Sequence, residues 1–254
     1  NAAGRMNSGI SAVELLLSRD QDEALPMARA IEFSNTERRS TDERITKEAL
    51  QQIELDEAQH KSSTVVYHPS WHKGVIGIVA SRLIDKYHRP TVVITKSDTV
   101  LAGSVRSVNG FDVYQALEAC KDQMIQFGGH KYAAGLTMKE EQLGAFKEAF
   151  EIAVESQILD SQLKPVLHYD AELKFDVITS KFYRILAQMA PFGPKNVKPV
   201  FVTHNCIDKG GSCLVGNDKN HLKLQIIDPT GKVMQGIGFG LGRYYPKIKK
   251  KYSF

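Results

Sequence analysis

The sequence predicts an α/β domain (a mixed sheet with helices) joined to a long helix and followed by an all-β module of the small, OB-like barrel type. Three observations carry that reading. Residues 22–58 hold one proline, Pro26, and no glycine, while Ile45, Ala49 and Ile53 recur at i, i+4 and i+8 among charged residues. Residues 62–157 alternate strand-like and helix-like runs. Beyond residue 158, short β-type runs are separated by Gly- and Asp-rich turns.

Residues 1–20 read as a small-residue loop and a short helix, with Ser11-Ala-Val-Glu14 at capping-box spacing ahead of Leu15-Leu16-Leu17. Residues 21–61 form the long connecting helix, partly exposed, of a length that usually bridges two domains. In the α/β domain, 62–157, Thr64–Tyr67 is a strand. Val75, Ile76, Val79, Leu83, Ile84 and Tyr87 make one apolar helix face. Thr91–Ile94 and Leu101–Ser104 are strands, and Val113–Cys120 is a helix. Phe127-Gly128-Gly129-His130 reads as a glycine-rich turn, Gly135–Met138 as a strand, and 140–155 as a helix burying Leu143, Phe146 and Phe150. The module 158–254 has strand-like runs at Leu167–Phe175, Val200–Asn205, Leu222–Ile227 and Val233–Phe239, with one helix near Thr179–Met189. Gly210-Gly211, Gly216-Asn217-Asp218 and Asp228–Gly231 supply the turns.

Composition narrows the class. With 254 residues, 42% hydrophobic and 24% charged, the chain is neither disordered nor fibrous. The longest apolar run, Val75–Ile84, is broken by Ser81 and Arg82, so no membrane helix is expected. Three cysteines, Cys120, Cys206 and Cys213, give no disulfide framework and suit a cytoplasmic protein. The chain opens at Asn1 without an initiator Met, as a piece of something longer would. Net charge is +4. Residues 20–60 hold five basic and eleven acidic residues, a net of −6, which leaves +10 on the rest and suits a polyanionic partner.

Three segments carry candidate chemistry. Gly103-Ser104-Val105-Arg106-Ser107 sets a planar donor fork between two hydroxyls, suited to phosphate; an ordinary surface turn is the competing reading. Gly128-Gly129-His130 frees backbone N–H groups for an anion and adds an imidazole; a plain glycine turn competes. Trp71-His72-Lys73-Gly74 opens a helix, a favourable place for an anion, although a lone Trp usually caps a core. The tail Arg243–Tyr252 mixes five cations with three tyrosines, the pattern of single-strand capture or of a solvated tail. Metal-site patterns are weak: Pro69 interrupts the His68/His72 spacing, and Cys206, Cys213 and His221 lack zinc-module spacing.

Four segments occur in order: Asn1-Ala-Ala-Gly-Arg-Met6, Trp71–Leu83, Gly103-Ser-Val-Arg-Ser107 and Gly128-Gly-His-Lys-Tyr-Ala-Ala-Gly135. Together they closely resemble the RecJ family of bacterial single-strand-specific DNA exonucleases, in the DHH superfamily, over essentially the whole chain. The resemblance implies the end of a DHH lobe (1–20), the connecting helix, a DHHA1 lobe and an OB-fold, without the lobe that bears the Asp-His-His motif. It implies 5′→3′ hydrolysis of single-stranded DNA to 5′ mononucleotides, in DNA repair and recombination. The two Mn²⁺ or Mg²⁺ ions belong to the absent lobe, and none is expected in this chain. It implies that Ser104 and Arg106 hold the 5′ phosphate end, that Gly128, Gly129 and His130 face the scissile phosphate, and that Arg5 lies near the lobe junction. Ser107, Trp71, His72 and Lys73 complete the candidate substrate contacts. The alternatives are another DHH-superfamily phosphoesterase, acting on short oligonucleotides or nucleotide bisphosphates, and a noncatalytic single-strand-binding module. The segment Pro191–Phe201 departs from the Gly-Asn-Pro turn more usual in the family. The family adds further strands after the position of Phe254, so the barrel is expected either to be incomplete or to be completed by residues beyond it.

Overall fold

Helix-forming residues without a breaker give the chain its first structure. The computed structural model describes residues 2–56 and 58–249. Ala3–Met6 (α1) and Ile10–Leu17 (α2) precede a 35-residue helix, Gln21–Leu55 (α3). Asp20 caps α3 by accepting a hydrogen bond from the Asp22 amide, and Asp22 and Glu23 complement the helix dipole. The stripe Ile45, Ala49 and Ile53 is buried as its period requires, and Asp42 joins it one turn earlier. The expected cap at Ser11 is not formed. α2 starts at Ile10, whose amide donates to Ser8 Oγ at 3.2 Å, and Ser11 lies inside the helix. α3 also stops at Leu55, short of 61, and a 3₁₀ turn at Ala58–His60 follows.

The next elements are Thr64–Tyr67 (β1), Ile76–Tyr87 (α4), Thr91–Ser97 (β2), Val100–Arg106 (β3) and Val113–Glu118 (α5). Gln126–His130 (β4), Ala133–Met138 (β5) and Leu143–Glu155 (α6) complete the set. The strands form one mixed sheet in the order β1-β2-β3-β5-β4, with β1 parallel to β2 and every other pair antiparallel. The Phe127–His130 segment is therefore not a turn but most of an edge strand, and the turn is Lys131-Tyr132. Glycines that signal a loop in sequence here sit where a strand borders open space. Gly129 has φ +151°, and a Cβ there would press on the Ala133 carbonyl, so that position demands glycine.

Alternation along the strands builds two cores. On one face Val92, Ile94, Leu101, Val105, Leu136 and Met138 pack with α5 and with Phe146 and Phe150 of α6. On the other, Val66 and Val93 meet Val75, Val79 and Leu83 beside α4's start and along it, and the α3 stripe closes over them. α4 covers β2 and β3 on that second face.

These elements belong to one compact unit, residues 1–165; residues 166–254 form another. In the second, Ala171–Glu172 (β6) pairs in parallel with Phe201–Val202 (β7), and Ser180–Gln188 (α7) is capped by Thr179. Ile207–Asp208 (β8), Cys213–Val215 (β9), His221–Ile227 (β10) and Val233–Gly238 (β11) make a four-stranded antiparallel sheet around β10, and Tyr245–Lys249 (α8) follows. The β10–β11 turn is organised by Asp228, whose carboxylate accepts from the amides of Thr230, Lys232 and Phe175 and from the Thr230 hydroxyl. Burial alone would raise this carboxyl's pKa; the hydrogen bonds outweigh it and hold the group below the usual carboxylate range. The runs expected at 167–175 and 200–205 shrink to two-residue strands, and among the described residues the ladders do not close into a barrel.

Candidate anion-binding cavity

The register of β3, β5 and β4 lays side chains on one face in rows. Ala102, Thr137 and Gln126 form one row, Ser104, Gly135 and Gly128 the next, and Arg106, Ala133 and His130 the third. α4 stops short of β5 and β4, and a cavity of about 660 Å³ opens over these rows. Its charged lining residues are Arg5 from α1, Lys73 before α4 and Arg106 from β3. No Asp or Glu lines it, and none of the three cations is ion-paired among the described residues.

Arg106 is held from within. One guanidinium nitrogen donates to Ser104 Oγ at 3.1 Å and to the Val105 carbonyl at 2.8 Å. Gly77, in the first turn of α4, makes room: a Cβ there would stand 2.8 Å from Arg106 Nη2 and 3.0 Å from Ser104 Oγ. Arg5 donates to the Gly74 carbonyl at 3.4 Å, and its own carbonyl presses so closely on Gly74 that no Cβ fits. Burial pulls the Arg106 pKa below the ordinary value, and the neighbouring Arg5 charge pulls it further. Two like charges and the N-terminus of a twelve-residue helix thus face one cavity, an arrangement that a bound anion relieves.

The other sequence candidates are placed as follows. Trp71 is buried, donates from Nε1 to Glu48 at 2.8 Å, and anchors the loop before α4 rather than lining the cavity. His72 accepts from the Gly74 amide through Nδ1 at 3.1 Å and fixes the turn that presents Lys73. Ser107 donates to the Phe111 carbonyl at 2.9 Å and ends β3. Gly128 lines the cavity; Gly129 lies in the ladder. His130 is exposed at the open end of the Arg106 row, its Nδ1 accepting from the Tyr132 amide at 3.3 Å. In the other unit, Arg243 and Lys247 lie over the Tyr244 ring at 5.0 and 5.7 Å; Lys250, Lys251 and Tyr252 of that tail, like Asn1, lie outside the described residues. Sequence reasoning missed Gln126 and Thr137, and held Gly77 and Gly135 only as members of the motifs Trp71–Leu83 and Gly128–Gly135. A glycine inside an apolar helix was the available signal for Gly77; the other three depend on strand register.

The donor set suits an anion, not a divalent cation. The cavity offers guanidinium, ammonium, hydroxyl and one carboxamide group and no carboxylate or imidazole, and among the described residues no group of three or more His, Cys, Asp or Glu could hold a metal.

Comparison with known proteins agrees with the division into two units. Residues 60–156 match the DHHA1 domain, and residues 169–254 match the RecJ OB domain. The single-stranded-DNA-specific exonuclease RecJ of Bacillus subtilis is 31% identical over 95% of this chain, which spans 31% of that relative. The corresponding protein of Haemophilus influenzae is 30% identical over 99% of the chain and 45% of its own length. RecJ from Thermus thermophilus in complex with Mg²⁺ superposes with a TM-score of 0.76 at 24% identity, covering 93% of this chain and 41% of that one. An exonuclease RecJ bound to manganese gives 0.55 at 32% identity, over 61% of this chain and 38% of its own. The chain is thus a DHHA1 domain followed by an OB domain of the RecJ type. It belongs to the RecJ family, and it spans roughly a third to just under half of the curated relatives named here.

Proposed function

We propose that this chain is the strand-gripping part of a 5′→3′ single-strand-specific DNA exonuclease of DNA repair and recombination in the cytoplasm. In this reading the cavity takes the 5′-terminal phosphate. The observation that carries it is the cavity whose charged residues are Arg5, Lys73 and Arg106, with Ser104 beside Arg106 and no carboxylate to compete. A terminal phosphate bears more negative charge than an internal diester, so cations shielded from water favour it.

The register adds a length scale. Arg106 and His130 are two strands apart in one row, about 10 Å between their backbones. A phosphate at Arg106 leaves room for one nucleotide before a phosphodiester at His130, which suits release of mononucleotides. The imidazole keeps Nδ1 turned to the Tyr132 amide, so the neutral ring presents Nε2–H outward as a donor to a phosphodiester oxygen. Phosphodiester hydrolysis with Mg²⁺ or Mn²⁺ would draw its metal ligands from outside this sequence, because the cavity's own donors do not fit a divalent cation.

The test is Arg106→Ala in the full-length protein, assayed on 5′-phosphorylated and 5′-hydroxyl single strands. A charge-assisted Arg–phosphate contact is worth about 1.5–3 kcal/mol, so degradation of the phosphorylated strand should drop roughly 10- to 100-fold and the other far less. Arg106→Lys should recover only part of the loss, since a point charge lacks the planar fork. An equal drop on both strands would remove the terminal-phosphate assignment.

A further inference from the structure

Two of the cavity's three cations are placed by one short loop. Lys73 lies on it, and Arg5 donates to the carbonyl of its Gly74 at 3.4 Å. Arg106 is held by its own strand instead, through Ser104 Oγ and the Val105 carbonyl. Trp71 stands two residues before Lys73, and it is fixed at both ends. Thr95 Oγ1 of β2 donates to its carbonyl at 2.6 Å, and its Nε1 donates to Glu48 Oε2 of α3 at 2.8 Å. The other Glu48 oxygen accepts from Arg44 at 2.7 Å. Burial alone would raise the Glu48 pKa; the hydrogen bonds from Trp71 and Arg44 outweigh it and hold the carboxyl below its usual range. Apolar packing would be served by a ring without an N–H. A buried indole N–H demands an acceptor, and Glu48 supplies it, so the orientation of the ring and the position of the loop are fixed together.

We infer that Glu48 is a positioning residue for the anion cavity: through the Trp71 indole it sets where the loop presents Lys73 and the Gly74 carbonyl that holds Arg5. The inference rests on the phosphate reading above and adds to it a residue that does not itself line the cavity. Its effect runs through two of the cations and leaves the third alone. It also makes the long helix part of the binding apparatus. A shift of α3 against the sheet reaches Lys73 and Arg5 by way of Trp71, whereas Arg106 keeps its place on β3.

The experiment titrates this chain with inorganic phosphate by NMR, after thermal unfolding has shown each variant folded at the titration temperature. Trp71 is the only tryptophan in the sequence, so a single indole N–H signal reports the Glu48 contact through its exchange with solvent. Glu48→Ala should speed that exchange and weaken phosphate binding about fivefold, the scale of one net hydrogen bond. Glu48→Gln keeps an acceptor oxygen and should stay within about twofold of the parent. In a Lys73→Ala background the loss from Glu48→Ala should shrink to about twofold or less, and in an Arg106→Lys background it should persist, because residues that share partners couple and distant ones add. Unchanged phosphate affinity in Glu48→Ala overturns the inference. So does an equal loss in both backgrounds, which would mark a general loosening of the fold, and so does a glutamine variant as weak as alanine. If the parent itself binds no phosphate, the phosphate reading fails and takes this inference with it.

Discussion

Asp42 of α3 and Arg82 of α4 lie 2.6 Å apart, and the carboxylate is completely buried while the guanidinium remains 44% exposed. Arg38 stands farther off, at 3.8 Å. The pair ties the long helix to the helix whose first turn borders the cavity. Its two halves are energetically unequal. Arg82→Ala leaves the buried charge with only Arg38 and a 3.5 Å contact from the Thr46 hydroxyl, and should cost about 3–5 kcal/mol of stability. Asp42→Ala leaves a guanidinium that water can reach, and should cost less, about 1–2 kcal/mol. Urea unfolding of both variants checks the order; a larger loss in Asp42→Ala would contradict it.

His130 gives a second prediction, made for the full-length protein. If the imidazole acts through Nε2–H, glutamine can offer an amide N–H in its place, whereas asparagine keeps only the contact to the Tyr132 amide. His130→Ala and His130→Asn should lower turnover about 10²–10³-fold on both 5′-phosphorylated and 5′-hydroxyl strands, and His130→Gln should recover most of it. Glutamine as inactive as alanine would instead point to proton abstraction.

Purified alone, this chain should bind single-stranded DNA without cutting it. The +10 outside residues 20–60 drives binding, so log affinity should fall with log salt by about 0.7 per phosphate contacted. Fluorescence anisotropy at several salt concentrations reads the slope, and a flat line would exclude electrostatic capture. EDTA-sensitive degradation of a labelled strand by the pure chain would contradict the expectation that the metal ligands lie elsewhere.

Asp228 predicts the acid limit of the second unit. Its folded pKa is depressed by hydrogen bonds that outweigh burial, so its stabilising contribution is complete above the unfolded carboxylate value, about 3.9, and is lost as pH falls through the lower folded value. Circular dichroism of the unit should therefore hold steady near neutrality and fail in strong acid. Asp228→Asn should be less stable at neutral pH and flatter in its acid dependence; an unchanged acid profile would show that other carboxylates govern it.

The sequence was legible where one element's own period decides the outcome. Ile45, Ala49 and Ile53 announced the buried side of α3, and Val75, Val79 and Leu83 that of α4, because i, i+4 spacing is a local property. The three glycine turns of the second unit sit where expected, between β8 and β9, β9 and β10, and β10 and β11. The site was legible only in part. Arg5, Lys73, Ser104, Arg106 and Gly128 do line one cavity, but Gln126, Gly135 and Thr137 join them only through the pairing of β3, β5 and β4. Register is a long-range property that a single chain of letters does not display. Phe127–His130 was misread for a related reason: glycine usually marks a turn, and nothing local shows that these glycines lie along an edge.

That edge has a consequence for solubility. Among the described residues β4 ends the sheet, so one side of its backbone has no neighbouring strand, a natural template for pairing with another molecule. Most of its residues are exposed, and two are glycines, which template an added strand poorly. The bare glycines of this edge thus also discourage self-association. Gly128→Val should not only crowd the cavity but raise β-propensity on an open edge, and light scattering of concentrated samples should show it clumping before the parent does.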